Sequence, residues 1–110
     1  MKLMTKAIEK KMPPIRSTEG TSIQNKEIIC KFFTPWSNWT WLVLEGDKEE
    51  NGDWLFFGVV FGFEIEFGYF RLSELESIRG PAGLKIERDR HLSDRHLINY
   101  MKAEDIKRNT

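Results

Sequence analysis

Between Phe32 and Phe70 the chain carries more apolar and aromatic side chains than one face of a sheet can hold. The stretch reads FFTPWSNWTWLVLEG, then a short polar loop, then DWLFFGVVFGFEIEFGYF, and it contains all four Trp residues. β-Branched and aromatic residues favour strands, and successive side chains on a strand point to opposite faces. On that reading Trp39, Trp41 and Val43 share one face of a strand spanning Trp39–Glu45, and Thr40, Leu42 and Leu44 share the other. Trp54–Phe61 is likewise apolar on both sides. A strand of this kind is either central and covered twice, or it offers one face to a partner.

Turn signals divide the rest of the region. Glu27–Thr34 is expected as a strand ahead of the Pro35-Trp36-Ser37-Asn38 turn, where Ser37 and Asn38 can bond their own backbone. Gly46–Asp53 is expected as a hairpin loop around Asn51-Gly52, because both residues tolerate positive φ. Gly62 suits a turn into a fourth strand, Glu64–Arg71, which alternates cleanly: Ile65, Phe67 and Tyr69 against Glu64, Glu66, Gly68 and Phe70. Carboxylates on such a strand fit a sheet edge.

Helices are short. Thr5 can cap Thr5–Met12, which Pro13-Pro14 ends, and Arg16–Asn25 has loop composition. Ser73 and Glu76 fit a capping box for a middle helix stopped at Gly80-Pro81. Lys85–Asp89 suits a short extended piece. Ser93 onward is expected to form a C-terminal helix with Leu97, Ile98 and Met101 inward, followed by a polar tail, KAEDIKRNT.

A chain of 110 residues is expected to form one domain with a core of its own. Lys plus Arg and Asp plus Glu number 17 each, so no net charge draws the molecule to nucleic acid or an anionic membrane, although local patches remain open. Cys30 is the sole cysteine, so no internal disulfide forms. There is no apolar run of signal-peptide or membrane-span length. These features together lead to the expectation of a cytoplasmic protein.

Catalytic patterns are weak. Asp47–Gly52 resembles the start of a calcium loop, but Gly58 stands where the closing Glu belongs. His91 and His96 are five apart, outside the spacing of three or four that suits one helical face, and zinc wants three or four ligands. Glu64 and Glu66 lie about 7 Å apart on one strand face, as an acid–base pair could, yet exposed edge glutamates are commoner. No Ser or Cys sits in a nucleophile elbow. No cofactor or metal is implied and no enzymatic activity is expected. The segment ERDRHLSDRH holds Arg88, Arg90 and Arg95, a pattern that suits nucleotide or nucleic-acid contact, with Glu87, Asp89 and Asp94 offsetting its charge. Trp is enriched at binding hot spots, and Trp36, lying in a turn, is the aromatic expected to be exposed.

The strings SNWTW, EFGYF, LSELESIRG and IERD, with the opening MTKAIEKKMPPIRSTEG, resemble the domain-of-unknown-function family 2958 over Met1–Asp89. The tail from Arg90 to Thr110 is longer than that pattern. The resemblance implies a small bacterial or phage protein carried on plasmids and other mobile elements near anti-restriction genes. It brings no activity and no catalytic residues.

These readings converge on an α+β fold: an antiparallel sheet of about four strands in meander order, with short N-terminal, middle and C-terminal helices over one face. Residues 1–89 form the expected domain and 90–110 a helical extension. The expected function is non-enzymatic inhibition of a host defence complex (anti-CRISPR or anti-restriction) by protein–protein contact. The expected binding residues are Trp36, Asn38, Trp39, Glu64, Glu66, Arg88 and Arg90. The alternative is a nucleotide or nucleic-acid binder using Trp36 and the arginines. A homodimer through an apolar sheet face is a further partner expectation, and no membrane is expected.

Overall fold

A computed structural model describes residues 1–101. The α+β class is as expected, with five strands rather than four. The strands are β1 (Cys30–Phe33), β2 (Thr40–Lys48), β3 (Trp54–Phe61), β4 (Ile65–Arg71) and β5 (Glu87–Arg88). They form one sheet in the order β4-β3-β2-β1-β5, every pairing antiparallel. The first four make the meander. The added strand, β5, is the short extended piece, pairing Phe32 with Arg88 and Phe33 with Glu87.

The central strand is covered twice. Trp41 and Val43 join one cluster with Phe32, Trp54, Phe56 and Phe70. That face is closed by α1 (Lys6–Lys11) through Ile8 and by α2 (Leu72–Ser77) through Leu72 and Leu75. Leu42 and Leu44 join Ile23, Ile28, Val59, Leu97 and Met101 on the other face. This second face is covered by 3-10 turns over Ile23–Asn25 and Leu97–Tyr100, so covering elements lie on both sides rather than one. Full burial of a Leu, Val or Phe side chain contributes about 1.5–3 kcal/mol, and Phe32, Phe56, Leu42, Val43 and Val59 are all fully buried.

Local signals explain the termini of α1. Thr5 Oγ1 accepts the backbone N–H of Ile8 at 3.2 Å. Pro13 and Pro14 lack the N–H groups needed to continue the helix. The capping of α2 differs from expectation. Glu74, not Glu76, reaches back to the Arg71 backbone N–H at 3.2 Å, while the Ser73 hydroxyl donates to Asp53 Oδ2 at 2.6 Å. Asp53, from the β2–β3 turn, therefore takes the side chain that the sequence pattern assigned to the cap, and that bond holds its carboxyl below the usual range. The hairpin loop is also shorter than Gly46–Asp53, because β2 continues through Lys48. Gly52 supplies the positive φ of 88°.

The C-terminal helix expected from Ser93 is replaced, among the described residues, by extended chain and the Leu97–Tyr100 turn. The backbone explains the difference. Ile28 N–H donates to the Arg95 carbonyl at 2.7 Å, and Leu97 N–H to the Lys26 carbonyl at 3.2 Å. Those bonds hold residues 95–97 alongside 26–28, where helical pairing is excluded. Asp94 then accepts the His96 backbone N–H at 3.0 Å and the Asn99 amide at 2.8 Å. Leu97 and Met101 still face inward, as their apolar character requires. The polar tail KAEDIKRNT lies outside the described residues.

The sheet register shifts between Val43 and Glu45. Val43 pairs with Gly58 and Glu45 with Phe57, leaving Leu44 as the extra residue of a β-bulge. A bulge bends its strand and increases the local twist, and any side chain at Gly58 would overlap the Leu42 carbonyl oxygen. Gly68, its neighbour on β4, faces open space. Gly58→Ala is expected to cost about 2–3 kcal/mol, a fall in melting temperature of roughly 10 °C or more. Gly68→Ala should leave thermal unfolding nearly unchanged. Paired melting curves check both.

Candidate binding surfaces

The residues singled out from sequence fall on opposite edges of the sheet. Glu64 and Glu66 are exposed at and beside β4, whereas Arg88 lies on β5 and Arg90 just beyond it. Four strand spacings separate these edges, roughly 19 Å. Trp39 and Asn38 lie in the β1–β2 turn, with Trp39 on the β4 side: its ring packs over Gly62, leaving no room for a side chain there. Trp36 is not the exposed aromatic. It is half-buried against the first core cluster, and its ring occupies the space that a Gly80 side chain would need. The two clefts lined by Arg88 and Arg90 do not include Trp36.

The exposed aromatics are others. Phe63 is 96% exposed in the β3–β4 turn, and Tyr69 is 56% exposed on β4. The turn is closed by Gly62 N–H donating to the Glu64 carbonyl at 3.1 Å. Phe63 meets Trp39 edge to face, with centroids 5.4 Å apart at 84°, and Trp39 meets Trp41 at 5.9 Å. An aromatic knob thus stands on a buttress of indole rings, with Glu64 and Glu66 beside it on the open sheet edge. The sequence held a clue to Phe63: it is the residue between the turn glycine and the first carboxylate, where a strand side chain has no sheet to lie on.

A second surface lies on the other face. Phe57, Phe67 and Tyr69 line a cleft of about 500 Å³ with Ile23 and the loop residues Arg16 and Lys26. The rings touch in sequence, Phe57–Tyr69 at 5.1 Å and Phe57–Phe67 at 6.3 Å. The loop is pinned by Glu45, which the bulge turns to this face and which is only 3% exposed. Its carboxylate accepts the backbone N–H of Arg16 at 2.7 Å, that of Thr18 at 3.0 Å, and the Thr18 hydroxyl. Arg16 holds a positive φ of 74°, a conformation that non-glycine residues rarely adopt and that these bonds sustain.

At the β5 edge, Arg88 serves the fold. Its guanidinium donates to the Lys2 carbonyl and, at 3.0 Å, to the Leu3 carbonyl. Arg95 likewise reaches the carbonyls of Ile28 and Ile29, at 3.3 and 2.9 Å. Beneath them Cys30 is buried, and desolvation pushes its thiol up to about 12 although Arg88, Arg95 and Lys11 all favour the thiolate. His96 Nδ1 lies 3.2 Å from Asp94 in the exposed C-terminal turn. Among the described residues no three His, Cys, Asp or Glu side chains are placed to hold a metal ion, and no helix is long and apolar enough to cross a membrane.

Two outcomes follow from these buried groups. Glu45→Ala leaves three donors without their acceptor and is expected to cost about 2–4 kcal/mol, with faster amide exchange at Arg16 and Thr18 on hydrogen-exchange measurement. For Cys30 the folded state holds its proton more tightly than the unfolded chain. Its contribution to stability is therefore complete below the ordinary value of 9.0 and is lost as pH rises toward about 12. Denaturant titrations across that window should show a steeper alkaline decline in the native chain than in Cys30→Ala.

A family profile described as "Protein of unknown function (DUF2958)" matches residues 3–108. The match continues past Asp89 and takes in residues 90–108. No curated protein and no solved structure matches the chain. Since the profile covers nearly the whole sequence, the chain belongs to the DUF2958 family.

Proposed function

We propose that the protein is a non-enzymatic binding module that docks on another protein through the β3–β4 turn and the outer edge of β4. The observation that carries this reading is Phe63, 96% exposed yet braced from below by Trp39. A large ring held out in water costs solvation without adding to the core. Bracing by a second ring limits the freedom it would lose on binding, and such pre-organisation favours affinity. Aromatic anchors that insert into a pocket are typical of binding hot spots.

Glu64 and Glu66 flank the ring, so the complementary partner surface is basic, with an apolar recess for Phe63. Proteins that hold nucleic acid present basic surfaces of this kind. As part of the same proposal, the partner is a nucleic-acid-handling complex of host defence, CRISPR or restriction, which the protein would occupy in place of nucleic acid. The mobile-element setting implied by the family resemblance supports that choice.

The test combines Phe63→Ala with Glu64→Gln and Glu66→Gln, all at exposed positions away from the core. The triple variant should melt like the native protein and lose at least about tenfold in affinity for the captured defence complex. In a defence-proficient host, expression of the native protein should raise phage plating and the variant should not. Equal capture and equal plating by both proteins would discard the proposal.

A further inference from the structure

We infer that the protein also carries a phosphate-binding cleft at the opposite side of the molecule, built by Lys11, Lys26 and Arg95. These three cations line a recess of about 440 Å³ between the end of α1, the loop leading to β1 and the C-terminal segment. Ile29 and Leu44 lie in the apolar part of its lining, and Thr18, Thr21 and Asn25 add polar groups. A second recess of about 230 Å³ shares Lys11, Ile29 and Arg95 with it and adds Arg88 and Arg90. The two recesses adjoin at these shared residues, and their linings together hold five cations and two carboxylates, Glu27 and Asp89. In a chain whose formal charges cancel, that is a local concentration of positive charge.

The way these cations are anchored sets the groove apart from a salt-bridged surface. Lys26 Nζ donates to the Thr18 carbonyl at 2.9 Å. Arg95 donates to the carbonyls of Ile28 and Ile29, and Arg88 to those of Lys2 and Leu3. The head groups of Lys26, Arg95 and Arg88 are thereby fixed by neutral acceptors, so their positions are set while their charges are not cancelled. Asp89, by contrast, lies 3.9 Å from Lys31 Nζ, which offsets its charge from outside the groove. Glu45 lies behind the loop, its carboxylate occupied by donors from Arg16 and Thr18. The depression that Lys11, Arg88 and Arg95 each exert on the Cys30 thiol is a separate sign that their fields overlap.

Fixed cations with neighbouring hydroxyl and amide groups suit a phosphoryl group, with its several acceptor oxygens and its full charge. The volume admits more than a bare phosphate and falls in the range of small-ligand sites. Two sources carry such a phosphoryl group: a mononucleotide seated in the larger recess, and the successive links of a single strand running along the groove, as charged grooves track strand backbones.

The experiment titrates the full chain with inorganic phosphate, with ATP as a mononucleotide, and with a labelled single-stranded oligonucleotide. Binding is read by calorimetry, ³¹P resonance shifts and, for the oligonucleotide, fluorescence anisotropy. Lys11→Gln with Lys26→Gln is the test variant: Lys11 is exposed, while half-buried Lys26 gives up a single bond to the Thr18 carbonyl, so a melting curve of the variant accompanies the titrations. Arg95→Gln is avoided because it frees two buried carbonyls, and Lys10→Gln, on α1 outside the groove, is the control. We expect the double variant to weaken binding by about tenfold or more while Lys10→Gln changes it little. Tight ATP binding without added gain from the oligonucleotide assigns the cleft to a nucleotide. Tighter oligonucleotide binding assigns it to a strand, and its salt dependence should then flatten in the double variant by about 1 to 1.5 in logarithmic slope. Binding of none of the three, or binding indifferent to Lys11 and Lys26, overturns the inference.

Discussion

The structure rests on a strand buried on both faces. Because β2 sends Trp41 and Val43 into one cluster and Leu42 and Leu44 into the other, it must be flanked by two strands and roofed twice. A 110-residue chain has little material for this. It uses two helices of six residues on one side, and on the other the 3-10 turns and the extended C-terminal segment. Residues 91–101 are thus part of the sheet's second roof, with Leu97 fully buried.

The bulge in β2 links that core to the surface. By inserting Leu44 it turns two consecutive side chains, Leu44 and Glu45, toward the same face. Leucine packs while glutamate, unable to reach solvent, collects donors from the loop at Arg16 and Thr18. One irregularity in the strand therefore determines where the loop sits, and the loop forms the wall between the aromatic cleft and the basic groove: Thr21 and Lys26 line both.

Much of this architecture was legible in the sequence. Period-two alternation located β4 and its facing, and the apolar runs located β2 and β3. Thr5 and the two prolines bounded α1. What escaped notice depended on contacts between distant residues. Trp36 reads as a turn residue and so as exposed, yet Gly80 leaves a hollow that its ring fills. Ser93–Met101 has the spacing of a helix, but its backbone groups find partners in residues 26–28. Ser73 fits a capping box, but Asp53 offers a charged acceptor closer to hand. The candidate surfaces were less legible still. Side-chain chemistry pointed to aromatics, carboxylates and arginines. Only the strand order shows that the carboxylates and the arginines lie on opposite edges, and that Phe63 rather than Trp36 stands in water.

That segregation has an effect at a distance. At β5 and just beyond it the signs alternate, Glu87, Arg88, Asp89 and Arg90, so their fields cancel over a short distance and act only at contact. Glu64 and Glu66 at the other edge share one sign, and their field extends to about a Debye length, ~8 Å at physiological salt. A charged body drawing near would meet the acidic edge first, and the β5 edge only once atoms touch.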